Sequence, residues 1–79
     1  MRMKLSDWNK SLVYVAYECA EFPNIGWYVY TMYDGRKGIT LFIQDSIGEI
    51  FAEQNTGIWD SFDEMKAAIQ RCIRRLMEV

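Results

Sequence analysis

At 79 residues, with 51% hydrophobic and 25% charged residues, the chain makes one domain with enough apolar material for an efficient core, which excludes a disordered segment. Its net charge of −2 excludes a strongly basic nucleic-acid binder, because phosphate contacts require a surplus of Lys and Arg. Histidine is absent and there are only two cysteines, so a one-chain zinc site is excluded and the usual general base near neutral pH is missing.

The chain opens with the basic stretch Met1 to Leu5, but no apolar h-region follows, so it does not read as a signal peptide. No apolar run approaches the ~20 residues of a membrane span, and a cytoplasmic protein that touches no membrane is expected. Residues 1–10 form a short arm with two readings. Met1, Met3 and Leu5 alternate with Arg2 and Lys4 as an edge strand would, whereas Ser6-Asp7-Trp8-Asn9 suits a capped helical turn. In either case Trp8 is expected to pack on the body of the domain.

Leu12 to Ala20 reads as the first strand. Val13, Val15, Tyr17 and Cys19 would share one face, and Leu12, Tyr14, Ala16 and Glu18 the other. Pro23 and Gly26 mark a break. Trp27 to Tyr33 is the second strand, with Trp27, Val29, Thr31 and Tyr33 opposite Tyr28, Tyr30 and Met32. Asp34-Gly35 signals a hairpin. Ile39 to Gln44 is the third strand, Asp45 to Gly48 a turn, and Glu49 to Gln54 a short fourth strand.

The strongest periodic signal comes last, in Ser61 to Glu78. Phe62, Met65, Ile69, Cys72 and Leu76 recur at spacings of three and four, widened by Ala68 and Ile73, which predicts an amphipathic helix. Ser61 with Glu64 forms a capping box. Acids at the start and Arg71, Arg74 and Arg75 near the end match the helix dipole. The expected fold is α+β and two-layered: an antiparallel three- to four-stranded meander over residues 11–54, covered on one face by the helix at 61–78.

No motif names a reaction. The serines lack a nucleophile-elbow context and a His partner. Gly35 and Gly38 flank Arg36 and Lys37, but without the strand-to-helix setting of a phosphate loop they read as a hairpin. The run from Gly38 to Met65 has no Lys or Arg and six acids (Asp45, Glu49, Glu53, Asp60, Asp63, Glu64), without the spacing of a calcium loop. No catalysis, metal or cofactor is expected. Cys19 and Cys72 read as buried reduced thiols, with a disulfide between helix and sheet as the sharper alternative.

The aromatic surplus, at 15%, is more informative. If Val13, Val15, Val29, Leu41 and Ile43 meet the helix, the opposite sheet face carries Tyr14, Tyr28, Tyr30, Met32 and Phe42, and such a face suits a protein interface. The alternative is that Met1–Trp8 folds over it, or that the two faces are exchanged. The expected function is non-catalytic protein binding, as an inhibitor or adaptor, with a target or a second copy as partner. Tyr14, Tyr28, Tyr30 and Phe42 are the expected contacts, with Asp45, Glu49 and Glu53 as a second, acidic surface. That surface suits a cationic nucleic-acid groove on another protein, as small phage-borne inhibitors of host defence complexes use. The other reading is single-stranded nucleic acid stacked on the sheet aromatics. It is disfavoured by the acidic balance.

Overall fold

The computed structural model describes residues 3–78. The elements run α1 (Leu5–Cys19), β1 (Ile25–Thr31), β2 (Lys37–Gln44), β3 (Ile50–Asn55) and α2 (Phe62–Met77). The strands form an antiparallel meander in the order β1-β2-β3. Both helices pack on one face of this sheet, α1 against β1 and α2, and α2 against β2 and β3. The result is a two-layer α+β domain.

The stretch expected as the first strand is helical. Leu12 to Cys19 belongs to α1 and Ala20 is its C-cap, so Tyr14 leaves the sheet. The N-terminal arm resolves in favour of helix from Leu5 onward; the part of its alternation carried by Met1 and Arg2 lies outside the described residues. The buried positions of α1 are Trp8, Ser11, Val15 and Cys19, which is helical spacing. Two features disguise that stripe. Ser11, a polar residue, occupies a fully buried position and is satisfied by donating to the Asp7 carbonyl at 2.9 Å. Val13 and Tyr17, apolar residues, lie exposed on the outer side. Lys4 makes no side-chain cap, so no start signal precedes the helix. The β-branched and aromatic content then mimics a strand, and packing overrides that propensity.

The other elements follow the sequence closely. Ser61 Oγ accepts from Glu64 N at 3.3 Å. The Glu64 carboxylate reaches back to Asp60 N at 3.4 Å, one residue beyond the usual capping-box target. Met65, Ala68, Ile69, Cys72, Ile73 and Leu76 are buried. On the sheet, Ile25, Ile39 and Leu41 are buried under the helices, and half-buried Trp27 and Ile43 join them. The inner face is therefore the one that carries Leu41 and Ile43.

Both hairpins use the same device. Met32 N donates to Arg36 O at 2.7 Å and Asp45 N to Glu49 O at 3.0 Å, each closing a three-residue loop. Gly35 and Gly48 end these loops at φ 90 and 85, a region that a side chain would strain. At the exit of β3, buried Thr56 ties the edge down: Ile39 N donates to its Oγ1 at 3.1 Å and Thr56 N donates to Ile39 O at 2.9 Å.

Candidate functional site

The sheet face away from the helices is built from alternate residues of three strands. Register places Gly26, Phe42 and Glu53 in one row, Tyr28, Thr40 and Asn55 in the next, and Tyr30 beside Gly38 in a third. No described helix covers this face.

Two of its aromatic rings lie across glycines. A Cβ at Gly26 would meet the Phe42 ring, and one at Gly38 would meet the Tyr30 ring. Tyr30 spans the sheet, donating its hydroxyl to Asn55 Oδ1 at 2.6 Å, and Asn55 Nδ2 donates in turn to Thr40 Oγ1 at 3.3 Å. Phe42 and Tyr30 are therefore partly structural: they pave the sheet where it has no side chains of its own. Tyr28 leans on Phe42, with ring centroids 6.0 Å apart and a 36° tilt, and remains 45% exposed. Phe51, two residues before Glu53 in β3, is 58% exposed and sits where the β2–β3 register shifts.

Of the seven expected contact residues, four meet on this face: Tyr28, Tyr30, Phe42 and Glu53. Tyr14 does not. It stands on α1 against α2, edge-on to Phe62 with ring centroids 6.0 Å apart, with Lys66 Nζ 5.4 Å from its ring and Gln70 Nε2 donating to its hydroxyl at 2.7 Å. Burial pushes the Tyr14 hydroxyl pKa up, the Gln70 bond opposes this, and Glu18 adds to the rise. Its role is to join the two helices.

Asp45 is also engaged elsewhere. Its Oδ1 accepts from Ile47 N at 3.0 Å and Glu49 N at 2.8 Å, so the carboxylate holds the β2–β3 turn. Glu49 shares that turn. The six acids do not make one surface. Asp45 and Glu49 sit at the end of the sheet where β2 meets β3, whereas Asp60 lines a cavity with Gly35, Arg36 and Lys37 at the opposite end. Phe51 was legible as the neighbour of Glu53 in an alternating strand, but nothing in the sequence located the register shift that leaves it exposed.

Among the described residues, no three Cys, Asp or Glu side chains converge to hold a metal ion, and no helix is long and apolar enough to cross a membrane. Cys19 and Cys72 are both free and buried. Burial pushes the Cys19 thiol up to about 11, helped by the Glu18 charge. Burial also raises Cys72, against the pull of Arg71 and Arg75. Both thiols are held in the protonated form, which is the poorer nucleophile.

A pH dependence follows from Cys19. Unfolded, it loses its proton near its ordinary 9.0; folded, near about 11. Between those values the folded state binds more protons, so stability should fall as pH rises, by about 1.4 kcal/mol per pH unit. Below pH 9 the contribution is fully present. Urea unfolding of wild type and Cys19→Ala across pH 9 measures it: wild type should lose stability faster, and parallel slopes would refute the assignment.

No protein-family model, curated protein or solved structure matches the chain.

Proposed function

We propose that this domain is a non-catalytic protein-binding module, an inhibitor or adaptor that docks its target on the outer face of the sheet. One observation carries the reading. The uncovered face is paved with Tyr28, Tyr30 and Phe42, two further-reaching rings (Tyr28 and Phe51) are about half exposed, and Glu53 is the charged residue among them. Aromatic residues supply large contact area at low entropic cost, and such surfaces concentrate binding energy. None of the outward-facing positions from Gly26 to Tyr30, Gly38 to Gln44 or Phe51 to Asn55 is Lys or Arg. With Glu49 at the nearby turn, the electrostatics suit a partner with a basic groove, such as a nucleic-acid-handling protein.

The same absence of cations counts against single-stranded nucleic acid as the ligand. Stacking on Tyr28 would draw phosphates toward Glu53 with nothing to neutralise them. A photo-crosslinking residue at position 28 in cells, compared with one at Gln70 on the helix layer, tests the docking face. Adducts to a protein are expected at 28, absent at 70, and lost on Glu53→Lys or the double substitution Tyr28→Ser, Phe51→Ser. Both variants should keep the far-UV spectrum, since none of the three side chains is buried. Steep, salt-sensitive binding of labelled single-stranded RNA or DNA, with no protein adduct, would replace this reading with the nucleic-acid one.

A further inference from the structure

We propose that the edge of β1, which no described strand pairs, joins the same edge of a second copy, antiparallel about a two-fold axis at Val29, to form a continuous six-stranded sheet. This does not depend on the target bound by the outer face.

Asn24 O accepts from Gln44 N at 3.0 Å and Met32 N donates to Arg36 O at 2.7 Å. The antiparallel alternation between these points turns Gly26, Tyr28 and Tyr30 toward β2. It turns the N–H and C=O of Trp27, Val29 and Thr31 the other way. Ile25 N is already used, donating to Phe22 O at 2.9 Å, so the open stretch begins at Trp27.

The edge is also unguarded. β1 reads Ile-Gly-Trp-Tyr-Val-Tyr-Thr, with no charge, no proline and no shift in its register with β2. Edge strands that stay single are usually blunted by one of these. The other edge, β3, has both Glu53 and a register shift.

The helix layer leaves room. Trp8, near the start of α1, lies under Lys37 Nζ at 5.8 Å, at the beginning of β2, while the end of α1 leads through a short turn into Ile25. The helix therefore crosses the sheet obliquely. Val29 projects to the helix side yet is 39% exposed, and Thr31 beyond it is exposed as well. In an antiparallel pair centred on Val29, the covered Trp27 end of each copy faces the open Thr31 end of the other. The side of α1 opposite Tyr14 (Leu5, Asn9, Leu12 and Ala16) carries no charge to oppose the approach.

The register is set by the strand itself. Centred on Val29, the pairs Val29–Val29, Trp27–Thr31 and Thr31–Trp27 use all three open residues of each copy. Centred on Trp27, the scheme would need the occupied Ile25 N–H. Tyr28 then stands directly opposite Tyr30 of the second copy, a close aromatic cross-strand pair, and the two outer faces join.

Light scattering at high micromolar concentration should give twice the chain mass. Val29→Lys places two ammonium groups face to face and should give a monomer with an unchanged circular dichroism spectrum, whereas Glu53→Lys should remain dimeric. Val29→Cys should form a disulfide-linked dimer under mild oxidation, because paired α-carbons lie about 5.5 Å apart in such a site. A monomeric wild type overturns the proposal. So does a dimer that survives Val29→Lys, or a dimer in which Val29→Cys does not cross-link.

Discussion

Replacing Trp8 with alanine should lower the unfolding free energy by about 3–5 kcal/mol. Trp8 is buried in the main core cluster, near the start of a helix that has no side-chain cap. A 15-residue helix is marginal alone, so α1 depends on what it packs against. Two contacts hold its ends: Trp8 under Lys37 at the start, and Cys19 in the core at the finish. Loss of the indole removes the first. The expected signature is local as well as global, with amide exchange accelerated from Leu5 to Ser11 before the sheet opens. A cost below about 1 kcal/mol, the range of surface substitutions, would mean that α1 is held in some other way.

Ile69→Ala should cost about 2–5 kcal/mol, for a different reason. Ile69 is fully buried at the middle of α2, in one cluster with Val15, Ile39, Leu41 and Met65. Its truncation leaves a cavity between the layers, where well-anchored neighbours can close in only partially. For a chain of this length, total stability is roughly 4–12 kcal/mol, so the loss is a large share of the whole. Chemical denaturation should show a lower midpoint with an unchanged slope, since the native state keeps its shape. A reduced slope would point instead to a loosened native state.

These two residues also mark how readable the chain was. Ile69 lies in a stripe of Met65, Ile69, Cys72 and Leu76 with contrast on every side, behind a Ser61 cap. Helix period, cap and dipole agree there, and the element is legible within a residue at each end. Trp8 belongs to a stripe of Trp8, Ser11, Val15 and Cys19 whose second member is polar, while Val13 and Tyr17 are apolar and face outward. Period-two and helical readings compete in such a stretch, and only the packing of α1 on β1 and α2 decides between them. The strands are more legible, because Asp34-Gly35 and Asp45 to Gly48 fix the hairpins and alternation sorts the residues of each strand into faces.

The candidate site was legible in the same uneven way. Tyr28 and Tyr30 share a face because parity within a strand is a local property, and Phe42 joins them through the register of the short β1–β2 hairpin. Glu53 joins them only through the pairing of Phe42 with β3, and Tyr14 leaves them because its element changed. The turn at Asp45 is legible, but the engagement of its carboxylate is not: it accepts from backbone amides two and four residues on, which takes it out of the contact surface.

By itself, then, the sequence determined the α+β class, the C-terminal helix, the hairpin-linked strands between Trp27 and Gln54 and which residues of each strand share a face. Each rests on periodicity, turn chemistry or alternation, which act over a few residues. Only the tertiary structure decided that the first element is a helix, that the acids divide between opposite ends, that the helices cover the face of Leu41 and Ile43, and that β1 is a sheet edge with no register shift. Those depend on which distant groups meet, and no local pattern encodes that.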